Sequence, residues 1–558
     1  MTWTATASDH GASPVYQFSV RPTGGDYRVV RDFSTSNSLR WTTTREGAYE
    51  VSVTVKDDFG ARTGESATAS FSLGTRVAPG GARTSRAAKA RVTISPTDNP
   101  LVALYSAPPT SGSRMRVEFR RQASNQPWLT TSALPIVPGK STNFLVAGLL
   151  PKRTYFMRHV LSDGTTSTIR TFKTGALPSN LKFPKFTVQR AASFRADLTQ
   201  NIVVHAGITF QGDTINTLAT NRQGDIVWYY DSVNNHFLSY AASLVPGGTV
   251  LMLGNFLPFG VASGTSTLRE VDLAGNTLRE TNIDAVNAQL AALGRPAIND
   301  FNHDAQRLPN GDTAVLSSTT KTIDINGTPT QYTGDMVIVL DQNFQVDWTW
   351  DPFAWMDPNR LPTLGEGPTD FTHANSIAWS PADGNLLVSM RSQDWVVKIN
   401  YANGTGDGHI IWRLGEGGDF TIEPSIASPW FSHQHDVRYI NKSTLVLFDN
   451  GNVRQSESPQ AKSRGQLLVL DEKKMRARLK ANVVLGNYAP AVGSAQRLPN
   501  GNLAFTSGFV QQTIEVRPGG GGTTTYVLKM NLPGIQYRSY IYRTLYDGNS
   551  ADPGGPVG

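Results

Sequence analysis

The sequence of 558 residues predicts an all-β fold. Short segments in which apolar and polar residues alternate occur along the chain, bounded by Gly, Pro, Asn, Asp or Ser, as β-strands are. The second half repeats one turn-and-strand pattern, and one segment has clear helical periodicity. With 39% hydrophobic and 17% charged residues, the chain can form folded cores and is not a disordered protein.

Residues 1–75 are predicted to form a small β-sandwich. Alternating segments at 14–20, 38–42 and 49–56 indicate a half-exposed antiparallel sheet. The stretch 47–57 resembles the closing strand of immunoglobulin-like modules found on bacterial surface proteins. We therefore expect an immunoglobulin-like β-sandwich with a spacer or adhesive role.

A basic flexible linker is predicted at 76–91. From Gly74 to Arg91 the chain has five basic residues and no acidic one, among Gly, Ala, Ser and Thr. The net charge of +7 and the pI near 9.4 would by themselves allow a nucleic-acid or membrane-surface partner. Because most of the positive excess lies in this linker, no nucleic-acid partner is expected.

Strand patterns return at 92–176. The segments 114–120, 154–161 and 169–175 alternate apolar and polar residues. Their layout resembles a fibronectin type III module, so a second, fibronectin III-like β-sandwich is expected, again as a spacer.

Residues 180–558 are repetitive. A turn followed by a short strand recurs with steps of 63, 73, 59 and 58 residues. These turns begin at Pro246, Pro309, Ala382, Asn441 and Pro499, and aromatic strands lie at 224–230, 344–350 and 409–414. Sheets of about four strands repeated at a fixed period indicate a β-propeller, and repeats of about 63 residues predict a six-bladed β-propeller.

The helical segment is 284–293. Val286, Leu290 and Leu293 are spaced as one helix face, and Gly294 follows as a stop. We expect this helix to pack over one face of the propeller as a partial lid.

Four of the nine histidines lie at the same place in the repeat, just before or at the start of the strand that precedes a recurring turn. They are His303, His373, His433 and His435. Because the innermost strand of each blade begins at the mouth of the central channel, we expect these positions to converge there. Several histidines in phase with one repeat indicate a functional site.

Six short motifs follow one another between about residues 200 and 510. They are His303-Asp304, Thr372-His-Ala-Asn-Ser376, Val388-Ser-Met-Arg391, Ile411-Trp-Arg-Leu-Gly415, Gln434-His-Asp436 and Phe448-Asp-Asn-Gly451. In this order they resemble the bacterial arylsulfate sulfotransferase (arylsulfotransferase) family. The resemblance implies a six-bladed propeller enzyme that moves a sulfuryl group from an aryl sulfate donor to a phenolic acceptor. It also implies a PAPS-independent ping-pong reaction through a sulfohistidine intermediate, with no cofactor.

The resemblance further implies roles for single residues. His435 matches the nucleophile of the family by its place in the Gln-His-Asp motif. His373, Asn375 and Arg391 match groups that hold the sulfate.

Three further site residues are expected on the same basis. His303 matches the remaining histidine and is favoured as the acid/base, with His373 as the alternative. Ser494 occupies the place of a substrate-binding hydroxyl, with nearby Thr506 as the alternative, and His433 is expected to contact the substrate beside the nucleophile.

Elementary chemistry agrees with these roles. A neutral imidazole, with an ordinary pKa near 6.5, is nucleophilic at neutral pH. A sulfuryl group in transfer spreads negative charge over its equatorial oxygens, so Arg391 and Asn375 suit it as a planar cation and a neutral donor. A phenolate has a conjugate acid of pKa ~10, so protonation by a histidine helps it depart, and the same histidine can deprotonate the acceptor.

Aromatic residues and one turn receive structural predictions. Trp228, Trp348, Trp350 and Trp412 are expected to pack between blades, residues 448–451 to form a tight hairpin turn, and Trp355, Phe371 or Trp430 to wall the aryl ring.

Two alternatives of other kinds stay open. His433 and His435 would share one face of an extended strand, and with His303 and a carboxylate they could hold zinc or manganese for a hydrolase or lyase. A secreted recognition or adhesion propeller is the second alternative, because the fold alone does not select a function.

The remaining expectations concern location. The sequence has no cysteine and no run that approaches the ~18 apolar residues of a membrane span. No apolar leader follows Met1, so either the protein is cytoplasmic or a leader has been removed. The family resemblance, the surface-type modules and the lack of cysteine favour a secreted, periplasmic or cell-surface protein, and no sequence feature indicates the oligomeric state.

Overall fold

The computed structural model describes residues 1–8, 11, 13–74, 91–122, 127–192, 194, 201–208, 214–235, 237–256, 265–424, 426–519 and 524–547. Strands dominate the regular structure of these residues, so the predicted all-β class is confirmed. The linker predicted at 76–91 lies outside the described residues apart from Arg91.

The N-terminal residues form two antiparallel sheets around one apolar core. The strands are β1 (Thr2–Thr4), β2 (Val15–Pro22), β3 (Arg28–Ser34), β4 (Ser38–Arg40), β5 (Gly47–Lys56) and β6 (Glu65–Leu73). β3, β2, β5 and β6 pair in that order, and β1 pairs with β4. Phe18, Leu39 and Val51 lie in the shared core. Alternation predicted these strands because one face of each is buried.

Residues 92–176 also form two sheets. The strands are β7 (Thr93–Pro96), β8 (Ala103–Ala107), β9 (Arg114–Arg121), β10 (Leu129–Thr130), β11 (Leu134–Pro135), β12 (Thr142–Val146), β13 (Thr154–Leu161) and β14 (Arg170–Lys173). One sheet has the order β12-β8-β7, and the other has the order β10-β9-β13-β14 with β11 added on β9.

The rest of the described chain contains six sheets, each with four antiparallel strands at its centre. Sheets 1 to 3 consist of β16 (Ile202–Gly207), β17 (Thr217–Asn221) and β18 (Ile226–Tyr229) with the last strand β40 (Gln536–Tyr542); β19 (Phe237–Val245), β20 (Thr249–Phe256), β21 (Thr265–Asp272) and β22 (Thr277–Asn282); and β23 (Asp300–Arg307), β24 (Thr313–Ile325), β25 (Thr328–Leu340) and β26 (Val346–Trp350).

Sheets 4 to 6 complete the series. They consist of β27 (Ala374–Trp379), β28 (Leu386–Met390), β29 (Trp395–Ile399) and β30 (Ile410–Gly415); β32 (His435–Asn441), β33 (Thr444–Asp449), β34 (Arg464–Asp471) and β35 (Arg476–Val484), with β31 (Thr421–Glu423) on β35; and β36 (Ser494–Arg497), β37 (Leu503–Ser507), β38 (Gln512–Pro518) and β39 (Thr524–Asn531), with β15 (Thr187–Arg190) on β39.

The sequence repeat corresponds to one position in these sheets. Each recurring turn joins the first and second strands of a sheet, from Pro246 between β19 and β20 to Pro499 between β36 and β37. The aromatic strands are the fourth strands β18, β26 and β30. One period of the sequence repeat therefore corresponds to one four-stranded sheet.

The sheets are arranged in a closed ring. The strands β40, β19, β23, β27, β32 and β36 contact one another in this order, and β36 contacts β40. Closure depends on β40, which completes sheet 1 by pairing with β16 from the start of the repeats. A ring of this kind protects strand edges, and the architecture is propeller-like.

Hydrogen bonds between neighbouring sheets hold the inner strands in register. The side chains of Asp304, Ser376, Asp436 and Ser494 accept hydrogen bonds from the backbone N–H groups of Ile377, Val437, Ala495 and Ser539, respectively. Each bond crosses from one sheet to the next, so these four side chains form an inter-sheet series.

The predicted tryptophans pack between sheets. Trp228 donates to the Leu273 carbonyl at 2.8 Å, Trp350 to Gly408 at 2.8 Å, Trp348 to Gly406 at 2.9 Å and Trp412 to Glu472 at 3.0 Å. Each partner belongs to the following sheet, so this prediction is confirmed.

The predicted helix exists, but its expected place is wrong. Helix α1 (Ile283–Ala292) begins after Asn282, whose side chain accepts from the N–H of Ala285. It contacts β3, β21, β22 and β26, at the outer side of the ring, and is not a lid over its face. Leu293 follows the last helical residue and is 57% exposed, so it does not extend the buried face of Val286 and Leu290.

Both N-terminal units pack against the ring. β3 pairs with β22, which extends sheet 2 to eight strands, and Arg31 forms an ion pair with Glu280 across this junction. One apolar cluster runs from Tyr105 and Phe119 to Trp228 in sheet 1. The N-terminal units are thus docked rather than free.

Within the described residues, no helix has both the length and the apolar character needed to cross a membrane.

Candidate active site

The predicted histidines meet where neighbouring inner strands begin. His303 lies in β23, His373 directly precedes β27, and His435 is the first residue of β32. The rings of His303 and His373 have centroids 4.9 Å apart. His303, His373 and His433 have φ angles of 53°, 43° and 53°, a backbone region that residues other than glycine rarely adopt and that is enriched at functional sites.

His435 is buried and is bonded at both ring nitrogens. Nδ1 lies 2.7 Å from Asn450 Oδ1 and 3.1 Å from the His433 carbonyl oxygen, while Nε2 accepts from the Val492 N–H at 3.2 Å. Acceptors on one side and a donor on the other place the ring proton on Nδ1 and the lone pair on Nε2. Nε2 therefore carries the basic lone pair of this side chain.

Asn450 is a site residue that the sequence analysis missed. Its amide nitrogen donates to the carbonyl oxygens of Ala489 and Val492, at 2.8 and 3.1 Å, which turns Oδ1 toward His435. Residues 448–451 do not form the expected hairpin turn, because they lead from β33 into helix α2 (Asn452–Glu457). The Asn-Gly pair predicted a turn because it permits positive φ, which Gly451 does adopt at 76°.

His433 has acidic partners. Its Nδ1 lies 3.0 Å from Asp394 Oδ1, which also accepts its backbone N–H, and Nε2 lies 3.3 Å from Glu366 Oε1 at ion-pair distance. The expected shared face of His433 and His435 is wrong, because positive φ at His433 takes the chain out of the extended conformation. Among the described residues, no group of three His, Asp or Glu side chains has a metal-binding arrangement.

His303 and His373 each have one identified partner. His303 Nδ1 lies 2.7 Å from the Tyr537 hydroxyl. His373 Nδ1 lies 2.8 Å from Asp370 Oδ1, and its side chain is 30% exposed. A carboxylate on Nδ1 stabilises an imidazolium and leaves Nε2 free to exchange a proton.

Arg391 and Asn375 complete the cluster. Arg391 Nη1 lies 2.8 Å from Glu366 Oε1 and 3.6 Å from Asp370 Oδ2, and its backbone N–H donates to the His373 carbonyl. Asn375 is fully buried, and its amide donates to the Gln434 carbonyl at 2.7 Å. Arg391 thus holds a planar cation beside the histidines, while Asn375 braces the backbone before His435. We call His303, His373, Arg391, His433 and His435 the cage.

Electrostatics give His433 and His435 opposite pKa shifts. Burial lowers the pKa of His435 well below its ordinary value, and the Arg391 guanidinium adds to this effect. Burial also opposes protonation of His433, but Asp394 and Glu366 outweigh it and raise its pKa. At neutral pH His435 is therefore a neutral imidazole, while His433 is the more readily protonated of the two.

The pKa of His303 follows the same rules. Burial lowers it well below the ordinary histidine value, and the nearby His373 lowers it further. Burial likewise raises the pKa of Tyr537, so the phenol keeps its proton. His303 is thus a neutral hydrogen-bonding group in the ligand-free site.

A buried ion network supports the cage from the channel. Arg538 contacts Asp304 at 2.5 Å and donates to the Asn375 carbonyl at 2.6 Å, while Arg438 contacts both Asp304 and Asp436. The arginines balance the aspartates, as buried charges require. The inner ends of the strands are therefore held by paired charges.

Ser494 lies outside the cage contacts. Its hydroxyl donates to the Ser539 carbonyl at 3.1 Å and accepts the Ser539 N–H, within the inter-sheet series. Thr506 lies 2.9 Å from Thr513 between their hydroxyl oxygens. Just before β36, the backbone N–H of Val492 contacts His435 instead. Because this contact uses a backbone group, a motif of side chains could not predict it.

The expected aromatic wall is not assembled from the proposed residues. Phe371 is fully buried in the apolar core of sheets 3 and 4, and Trp430 packs against that of sheets 4 and 5. Trp355 lies beside Gly408. The half-buried Tyr488 is close enough to Arg391 for the guanidinium to lower its pKa against the larger effect of burial, which raises it.

The family comparison addresses the part of the chain that carries the site. The sequence model of the arylsulfotransferase (ASST) family matches residues 186–543. The chain belongs to this family. The match begins just before β15 and ends just after β40, so it covers all six sheets of this arylsulfotransferase. Membership supports a sulfotransferase enzyme with aryl sulfotransferase activity.

Comparison with solved structures gives only distant similarity. A hydrazine synthase of Kuenenia stuttgartiensis is 12% identical, with a TM-score of 0.23 over 67% of this chain and 77% of the other. A quinoprotein alcohol dehydrogenase-like protein of Bacteroides thetaiotaomicron is 11% identical, with 0.24 over 85% and 89%. Sqt1 of Chaetomium thermophilum is 11% identical, with 0.25 over 53% and 72%. These scores carry no argument about function, and no curated protein matches the sequence.

Proposed function

We propose that this arylsulfotransferase transfers a sulfuryl group from an aryl sulfate to a phenol by a ping-pong reaction in which His435 is transiently sulfurylated. The observation that supports this most directly is the bonding of His435. Nδ1 is tied to Asn450 Oδ1, and the ring is held neutral beside Arg391. The lone pair of Nε2 accepts a 3.2 Å hydrogen bond from the Val492 N–H, which breaks when Nε2 attacks sulfur. A neutral imidazole with a fixed tautomer is ready to attack sulfur.

The reaction has two balanced halves. In the first, Nε2 of His435 attacks the donor sulfur, an N–S bond forms, the S–O bond to the aryl group breaks, and the phenolate leaves with a proton from the site. In the second, the acceptor phenol gives a proton to the same group and its oxygen attacks sulfur, which breaks the N–S bond. His435 returns to its starting state, and neither a nucleotide nor another cofactor enters the balance.

The other residues of the site have separate roles in the proposed reaction. Arg391 and protonated His433 are the cations that meet the negative oxygens of the transferring group. Asn375 holds the backbone that carries His435. Of the two acid/base candidates, the geometry favours His373, because Asp370 orients its ring through Nδ1 and leaves Nε2 for proton exchange. Burial discourages protonation of His303, which suits a hydrogen-bonding role.

The architecture and location belong to the same proposal. The six sheets are interpreted as the six blades of a propeller spanning 180–558, preceded by an immunoglobulin-like unit at 1–75, a linker at 76–91 and a fibronectin III-like unit at 92–176. Members of the family are typically periplasmic, which supports an exported enzyme. Because the N-terminal units pack against the ring, they are interpreted as fixed parts of the enzyme and not as flexibly linked domains.

A labelling experiment tests the mechanism. The protein is mixed with a chromogenic aryl sulfate without acceptor, quenched and digested, and the peptides are weighed by mass spectrometry. In the wild type we expect a sulfuryl group on His435. His435→Ala should lose this label and slow the reaction by about 10³-fold or more. The control variant His409→Ala should keep the label, because the His409 ring is exposed just before β30. Phenol release at full rate by His435→Ala would contradict the proposal.

A further inference from the structure

The connection between β26 and β27 reaches over the cage. Residues 351–373, here called the site flap, contain short 3-10 helices at Pro352–Ala354, Thr363–Gly365 and Pro368–Asp370. Thr363 fixes one side, because its N–H donates to the Ser392 carbonyl and its hydroxyl to Asp394. Asp370 fixes the other side through His373. Between these two anchors, the flap contacts the cage through Glu366, which lies against Arg391 and His433.

The tip consists of residues 364–367. Leu364, Gly365 and Gly367 have φ angles of 56°, 74° and 78°, so left-handed backbone occurs at three of its four positions. Leu364 is 50% exposed, so its side chain adds little burial. Glycines permit alternative backbone conformations at low steric cost, and a leucine at positive φ is strained. The tip can therefore change conformation without unpacking a core.

Glu366 is the residue that the tip carries into the cage. One carboxylate oxygen, Oε1, lies 2.8 Å from Arg391 Nη1 and 3.3 Å from His433 Nε2. The other, Oε2, is buried and has no hydrogen-bond partner among the described residues. Partial burial opposes ionisation, yet His433 and Arg391 hold the pKa of Glu366 at about 2, so it is a carboxylate.

A carboxylate and a sulfate ester compete for the same partners. Both present negative oxygens to planar donors, and Arg391 with protonated His433 supplies the charge that either needs. The two anions would repel each other at this distance if both were present. Binding of a donor to Arg391 and His433 therefore requires Glu366 to leave.

We propose that Glu366 is a resident anion that occupies the place of the donor's sulfate group in the ligand-free enzyme and moves away on the flap tip when an aryl sulfate binds. This inference rests on the proposed function, because it takes Arg391 and His433 as the sulfate cage. Glu366 then sets donor affinity. It also weakens the binding of small inorganic anions, which lack an aryl ring to compensate for displacing the carboxylate.

The test uses the whole protein and inorganic sulfate as the probe. Sulfate binding to the wild type, Glu366→Gln and Glu366→Ala is measured by titration calorimetry at pH 6 and again at pH 5, so that any loss of charge on His433 in the variants is detected. Asp357→Asn is the matched control, because it removes one charge from the same flap without contacting the cage. We expect sulfate to bind about ten-fold more tightly to both Glu366 variants and unchanged to the control. Equal or weaker binding would overturn the inference.

A second measurement uses the wild type only. Saturating inorganic sulfate should speed hydrogen exchange in peptides that contain 364–367 and leave β25 unchanged, and unchanged or slower exchange at the tip would overturn the inference. Failure of the proposed function is distinguishable. If no aryl sulfate is turned over but the Glu366 variants bind sulfate more tightly, the proposed function fails, while competition between Glu366 and an anion for Arg391 and His433 is supported. If transfer occurs and sulfate binding is unaltered, only the inference fails.

Discussion

The imidazole of His435 and the amide of Asn450 are joined by a 2.7 Å hydrogen bond between Nδ1 and Oδ1. Asn450 cannot rotate to offer its amide nitrogen instead, because that nitrogen donates to two carbonyl oxygens. The bond therefore fixes the tautomer of His435. Burial and the Arg391 guanidinium lower the pKa of His435 against the opposing effect of this bond, so the imidazole stays neutral, whereas a carboxylate at this position would favour the protonated form.

Replacement of Asn450 should change catalysis in a way that reveals the tautomer. Asn450→Ala should lower kcat about ten- to a hundred-fold with little change in donor KM, because the ring loses its orientation. Asn450→Asp keeps the acceptor but raises the pKa of His435, so its activity should need a higher pH than that of the wild type. Steady-state kinetics over a pH series measure both effects, and an unshifted profile in Asn450→Asp would contradict the assignment.

The affinity for the donor should depend on the charge of His433. Its pKa is raised, so the cation persists above the ordinary histidine range and is lost as pH rises through the shifted pKa. Donor KM should therefore increase on the alkaline side, by up to about ten-fold for the loss of one charge-assisted hydrogen bond. His433→Gln should have a weaker KM dependence over the same range. The same alkaline rise in the variant would exclude His433 as its source.

Leaving-group chemistry should separate His373 from His303. His373→Gln should slow transfer most for donors whose phenol is weakly acidic, since these need protonation, and much less for nitrophenyl sulfates. His303→Gln should slow both classes by similar factors, because it removes a hydrogen-bond donor and not the proton source. Rates for a series of substituted phenyl sulfates provide the test, and the reverse pattern would assign the proton transfer to His303.

Ser494 should contribute to stability rather than to donor binding. Its hydroxyl bonds to the N–H and carbonyl of Ser539 in the inter-sheet series. Ser494→Ala should lower the free energy of unfolding by about 1 kcal/mol and leave donor KM within about two-fold of the wild-type value. A large rise in KM without loss of stability would return Ser494 to the substrate site.

Acid stability should depend on His205 in sheet 1. The ring is buried between Ser539 and Thr220, and burial lowers its pKa to about 3. Below about pH 6.5 the unfolded chain binds a proton at this residue and the folded chain does not. As the pH decreases below this value, His205 therefore lowers the free energy of unfolding by ~1.4 kcal/mol per pH unit. His205→Gln should lose about 2 kcal/mol less between about pH 7 and pH 5 in urea titrations. An identical slope would contradict this account.

The strands and their repeat were predictable because they depend on local patterning. Alternation located β2, β5 and β13, and the spacing of turns marked the hairpins between the first and second strands of successive sheets. The position of helix α1 was not predictable, because its amphipathic face is compatible with any apolar surface. Its actual place depends on β22, β26 and a strand of the N-terminal unit.

The candidate site was predictable only in part, for a related reason. Histidines in phase with a repeat stand out in one dimension, and the structure brings His303 and His373 to 4.9 Å. Their partners do not repeat. Asn450 lies 15 residues from His435, and Asp370 and Glu366 belong to the long connection between β26 and β27.

By itself the sequence determined the strand pattern, the period of the repeat, the reactive residue types and the resemblance to the arylsulfotransferase family. Tertiary structure alone decided the tautomer of His435 and the directions in which the pKa values of His303, His433 and His435 shift. Those properties depend on burial and on contacts within about 3 Å, such as Asn450 on His435 and Asp394 on His433, which the closed ring brings together from different sheets and connections. The connection between β26 and β27 places Glu366 against Arg391, so the site contains a carboxylate of its own.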